Sequence, residues 1–126
     1  MSYKHILLID DDVEDLEIFK IALDRLSANP RCTTFTNARE ALDKLVAGEL
    51  TPDVIFLDLN MPLMSGQEFL QEVKKTKEIQ HIPVIIFSTS SQQSTVKLTM
   101  ELGAHDFITK PDRFDKLVEL LKPIIN

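Results

Sequence analysis

Two kinds of apolar pattern alternate along the chain. Short continuous runs, Ile6 to Ile9, Val54 to Leu57 and Val84 to Phe87, have the length and β-branched or aromatic content of strands covered on both faces. Between them, apolar residues recur at spacings of three and four, as in Leu16, Phe19, Leu23 and Leu26, the period of a helix with one buried face. Further helices are predicted by Ala38, Ala41, Leu42, Leu45 and Val46, by Phe69, Leu70 and Val73, and by Phe114, Leu117, Val118, Leu121, Ile124 and Ile125. Lys74, Lys75 and Lys77 are expected on a solvated face. The segment from Ser91 to Glu101 is less regular: Val96 with Met100 and Leu98 with Leu102 run in two separate lanes, so part of that helix is expected to face water. Arg31 to Phe35, with Thr33 and Thr34, reads as an edge strand, and Phe107 to Thr109 as a short last one.

The punctuation agrees with this division. Ser27 to Pro30 breaks the first helix, Asn37 and Ser65 are placed to cap the second and third, and Gly48 and Gly103 supply left-handed stops. Five strands therefore alternate with five helices, without linker, repeat or low-complexity stretch, which predicts an α/β domain with helices on both faces of a parallel sheet. One domain over residues 1–126, with no output domain, is the expectation for a chain of this length.

Charge and composition narrow the function. A net charge of -6 with scattered lysines and arginines argues against a nucleic-acid surface. The first apolar run is far too short for a signal peptide or a membrane span, which predicts a cytoplasmic protein without a membrane partner. Cys32 is the single cysteine, and His5, His81 and His105 lie too far apart in sequence to suggest a zinc site.

Chemistry gathers where the strands end. Right-handed crossovers bring the carboxyl ends of parallel strands to one edge, the edge at which such sheets bind ligands. The chain delivers Asp10 and Asp11, Asp58, Ser88 and Lys110 there. Three carboxylates about 5 Å apart repel by roughly 3 kcal/mol per pair at an effective dielectric near 20, a cost that a divalent cation removes. Oxygen ligands of this kind suit Mg2+, which commonly sits beside a phosphate, and Lys110 is a point charge for a phosphoryl oxygen. A carboxylate can itself attack phosphorus to form an acyl phosphate, and Asp58, at the exit of a buried strand before Pro62, is the candidate acceptor. Asp12, Glu14 and Asp15 have a plainer reading as acids in a first helical turn, with Asp12 starting the helix and pointing away.

With these residues in place, the chain resembles the receiver domains of bacterial two-component response regulators, of the single-domain, chemotaxis-regulator-like type. The resemblance spans the chain: Asp10-Asp11, the segment Leu57 to Pro62 with Gly66, Ser88, and Lys110-Pro111. It implies a doubly wound, flavodoxin-like (βα)5 fold with strand order 2-1-3-4-5. It also implies Asp58 as phosphoacceptor, Mg2+ held by Asp10, Asp11, Asp58 and the backbone carbonyl of Asn60, Ser88 and Lys110 on the phosphoryl group, and a cis bond before Pro111. Ser88 and Phe107 would be the switch pair. A sensor histidine kinase or histidine phosphotransfer protein would be the donor, an unidentified downstream protein the listener, and catalysis would be limited to the protein's own phosphorylation and dephosphorylation. Thr89 and Ser90 depart from the usual pattern and leave the phosphoryl lifetime open.

Two other readings compete. A pseudo-receiver would bind partners without phosphorylation. A phosphatase of the haloacid dehalogenase type would need an acid two residues after its nucleophile, where this chain has Asn60, which cannot serve as a general acid.

Overall fold

The computed structural model describes residues 3–126. Its elements run β1 (His5–Ile9), α1 (Val13–Asp24), β2 (Arg31–Phe35), α2 (Ala38–Val46), β3 (Val54–Leu57), α3 (Gly66–Lys75), β4 (Val84–Ser88), α4 (Gln93–Glu101), β5 (Asp106–Thr109) and α5 (Phe114–Ile125). The strands form one parallel sheet in the order β2-β1-β3-β4-β5. The expected doubly wound α/β fold is the observed one, and β5 begins one residue earlier than its apolar run, at Asp106.

The pleat divides the continuous apolar runs between two cores. Leu7, Ile9, Ile55, Leu57, Val84 and Ile86 face α2 and α3, meeting Ala41, Leu42, Leu45, Phe69, Leu70 and Val73. Ile6, Leu8, Val54, Phe56, Ile85 and Phe87 face α1 and α5, meeting Leu16, Phe19, Leu23, Leu117, Leu121 and Ile125. In that second layer Phe19 meets Phe56 and Phe87 edge to face, with ring centroids 5.1 and 5.6 Å away. Such pairing fixes α1 over the centre of the sheet, and with it the loop that carries Asp10 and Asp11.

Several side chains depart from the expected pattern. Val46 is exposed, because it falls in the last turn of α2 beyond the reach of the sheet. Phe114 also stands at the rim, with the guanidinium of Arg25 5.3 Å above its ring. Lys75 and Lys77 are solvated, but Lys74 is not free on that face: its Nζ donates to the carbonyls of Gln80 at 3.0 Å and Ile82 at 2.9 Å. The long lysine stem lets one ammonium hold the turn that leads into β4. Helix α4 buries Thr99 alone and leaves Leu98 and Met100 largely exposed, in keeping with its two-lane pattern.

Candidate functional site

Ladder hydrogen bonds continue past the strand ends and pin the site. The Asp10 N–H donates to Phe35 O at 3.1 Å, Asp58 N–H to Ile9 O at 3.0 Å, and Lys110 N–H to Ser88 O at 2.8 Å. Asp10, Asp58 and Ser88 are consequently buried, while Asp11 and Asn60 remain exposed on the neighbouring loops. A second constraint lies under the loop that follows Asp58, where Gly66 packs so tightly that a Cβ there would come within 2.4 Å of the Asp58 carbonyl oxygen. Only a residue without a side chain lets α3 start directly beneath Asp58.

Asp10, Asp11 and Asp58 each offer a carboxylate oxygen within 4.8 Å of the others. Asp12 stands apart as the N-cap of α1, accepting from the N–H groups of Glu14 at 3.0 Å and Asp15 at 3.4 Å. Its own N–H donates to Asp10 Oδ1 at 3.0 Å, which orients that carboxylate. Lys110 Nζ lies 2.6 Å from Asp10 Oδ2, 2.8 Å from Asp15 Oδ2 and 3.8 Å from Asp58 Oδ1, with its charge 5.8 Å from the Phe87 ring centroid.

The electrostatics follow from this crowding. Burial pushes the Asp58 carboxyl up to about 6, against the pull of Lys110 and with the help of the Asp10 and Asp11 charges. Burial also raises Asp10, opposed by its hydrogen bond from Lys110. For Lys110 burial alone would lower the ammonium, but the bonds to Asp10 and Asp15 and the charge of Asp58 carry it above the ordinary lysine value. Three carboxylates, those of Asp10, Asp15 and Asp58, thus share one ammonium, and the Asp11 carboxylate lies beside two of them. All-oxygen donors with excess negative charge and one exposed member fit a hard cation such as Mg2+, which Asp10, Asp11 and Asp58 could hold between them.

Ser88 Oγ accepts from the Ser90 N–H at 3.3 Å, a contact that leaves its O–H as a donor. Phe107 is half-buried, paired with Ile86 across the sheet and packed against the core beneath α2 and α3. The expected cis bond before Pro111 is not present, since no cis peptide occurs among the described residues. The trans form is favoured by about 0.5–1 kcal/mol for such a bond, and in it Lys110 already reaches Asp10 and Asp15. Asp15 is the residue that sequence reasoning missed. Its position in a first helical turn explained it without a partner, whereas the helix in fact lays it beside the end of β5.

Comparison with known proteins follows the same lines. The family model of the response regulator receiver domain matches residues 6–122. The two-component response regulator ORR12 of Oryza sativa subsp. japonica is 33% identical over 124 residues, covering 98% of this chain and all of that protein. Among solved structures, the phosphorylated cyanobacterial phytochrome response regulator RcpA superposes with a TM-score of 0.87 at 29% identity, covering 97% of this chain and 91% of the other. The Mn2+-bound form of response regulator Rcp1 gives a TM-score of 0.85 at 26% identity, covering 95% and 90%.

Proposed function

The chain belongs to the response regulator receiver domains, and from that premise we propose that it accepts one phosphoryl group on Asp58 in a Mg2+-dependent reaction and signals through a changed protein-binding surface. The observation that carries the proposal is the meeting of Asp58 with Asp10, Asp11 and Lys110 at one edge of the sheet. A relative solved in a phosphorylated form and another solved with Mn2+ support it.

In this reading an Asp58 carboxylate oxygen attacks the phosphorus of a phosphohistidine or a small acyl phosphate. The new O–P bond forms as the donor's P–N or P–O bond breaks, and the departing group keeps the electron pair. Mg2+, when bound by Asp10, Asp11, Asp58 and the Asn60 carbonyl, supplies charge neutralisation for carboxylates and phosphoryl oxygens that would otherwise repel. Lys110 gives one phosphoryl oxygen an ammonium, and Ser88 offers another its O–H. The buried floor of the site, set by Asp10 and the ends of β1 and β3, keeps the nucleophile in place. The protein is therefore its own catalyst for one transfer, and the donor is a sensor histidine kinase or histidine phosphotransfer protein. We place it in the cytoplasm, where such donors present their phosphohistidines; no helix of the described residues is long and apolar enough to cross a membrane.

Incubation with acetyl phosphate, with and without Mg2+, followed by intact-mass spectrometry tests the proposal. A single phosphoryl adduct is expected from acetyl phosphate only when Mg2+ is present, and none on the Asp58→Asn protein. An equal adduct on that variant would place the acceptor elsewhere.

A further inference from the structure

Lys110 has more partners than phosphoryl binding calls for. Its ammonium hydrogen-bonds two carboxylates, Asp10 at 2.6 Å and Asp15 at 2.8 Å, and stops 3.8 Å short of Asp58. Asp10 is almost sealed, and its other oxygen already accepts the Asp12 N–H. Asp15 differs: its side chain is about a third exposed, and with Lys110 and Phe87 it borders a cleft of about 190 Å³ that continues to Pro111 and Phe114. One partner of the lysine is thus fixed, and the other can let go into solvent.

We infer that Asp15 is a positioning residue that restrains Lys110 in the unphosphorylated protein, and that it sets how tightly the site takes a phosphoryl group by competing for that ammonium. The inference rests on the proposed phosphoryl chemistry at Asp58. With two of its three N–H donors on Asp10 and Asp15 the ammonium is held 3.8 Å from Asp58, so moving in on a phosphoryl oxygen pulls it away from one of them, and of the two only Asp15 can be surrendered without leaving a buried carboxylate unpaired. Releasing a partly exposed ion pair is a small cost, which makes Asp15 a tuning element and not a lock. Lys110 and Asp15 stand far apart in sequence and meet where the first turn of α1 lies beside the end of β5.

The test is a beryllofluoride titration at saturating Mg2+, followed by amide resonances, on the unmodified protein, Asp15→Asn, Asp15→Glu, Lys110→Met and the Asp15→Asn, Lys110→Met pair. Asp15→Asn is expected to tighten beryllofluoride binding about 1.5- to fivefold, the range an exposed ion pair commands. Asp15→Glu should return towards the starting affinity. In the Lys110→Met background the Asp15 change should have no effect, because the competition has lost its object. The same tightening in that background would show a bare charge effect and overturn the role through Lys110, as would unchanged or weaker binding by Asp15→Asn. In metal-free protein the Lys110 side-chain ammonium resonance should also shift in Asp15→Asn, a readout that needs no ligand, and an unmoved resonance would count against the restraint. If the unmodified protein takes no beryllofluoride, the phosphoryl reading itself fails, and this inference falls with it.

Discussion

Asp58 carries a carboxyl whose proton leaves near pH 6 in the folded chain but near the ordinary aspartate value of 3.8 when unfolded, burial being the main cause. Between those values the unfolded chain has released its proton while the folded chain still holds one, so this group's contribution to stability falls as pH rises through the window. Asp10 shifts in the same direction and adds to the trend. A cation that binds the ionised carboxylates reverses the penalty and gains most where they are ionised. The gain in melting temperature on adding Mg2+ should therefore be larger at about pH 7.5 than at about pH 5. Calorimetry at the two pH values decides it, and equal gains would put the cation away from Asp58. Gly66 is the second residue on which the site depends. A methyl group there would press on backbone, 2.4 Å from the Asp58 carbonyl oxygen and 2.7 Å from Leu59 Cα, and neither can swing aside. Gly66→Ala is expected to cost about 1–3 kcal/mol in denaturant unfolding and to slow phosphorylation by displacing Asp58. A variant as stable and as reactive as the original would mean that the α3 start yields freely.

At the scale of elements, the helix starts were legible because their caps are local. Ser65 accepts the Glu68 N–H at 3.2 Å and Glu68 Oε1 accepts the Ser65 N–H at 2.9 Å, a complete capping box after the loop that follows Asp58. Ser65→Ala should lower stability by about 1 kcal/mol, measured as a shift in the denaturant midpoint at unchanged slope; no shift would mean that packing alone holds the start of α3. The strands were legible for a related reason: a run such as Val54 to Leu57, buried on both faces, has no competing interpretation once Asp58 and Pro62 bound it. What stayed hidden depends on reach across elements. Lys74 and Lys75 look alike in a helical charge run, yet only the former meets the turn before β4. Asp15 was satisfied by the helix dipole in sequence terms, and nothing local reveals an ammonium arriving from β5. The trans bond before Pro111 was likewise beyond reach, since a cis bond was expected there from kinship and no residue pattern spoke for either form.

Over the whole molecule, the parts that would respond to a phosphoryl group on Asp58 are chained by backbone. Lys110 is bonded to Ser88 O at 2.8 Å, Ser88 stands opposite Thr109, and Phe107 lies two residues earlier on the same strand, opposite Ile86. The loop after Ser88 leads into α4, the least anchored helix: it has no side-chain cap bond, and its one buried residue, Thr99, returns its hydroxyl to Thr95 O and Val96 O. A phosphoryl group on Asp58 would draw the Ser88 O–H and the Lys110 ammonium towards it through new charge-assisted bonds. Space vacated by the loop is then open to Phe107, which has no hydroxyl and so gives up no hydrogen bond as it turns further inward. A phosphoryl group could shift this equilibrium only by binding one loop position better than the other, so some active population should pre-exist and partner affinity should rise without starting from zero. Amide chemical-shift mapping with beryllofluoride should therefore show large changes from Ser88 through α4 and at Phe107. Helix α2, held by Ala41, Leu42 and Leu45 on the same face of the sheet but towards its β2 edge, away from β5, should stay nearly still. Changes confined to the loops at Asp11 and Asp58, with Ser88 to Phe107 silent, would sink the switch while leaving the phosphoryl chemistry standing.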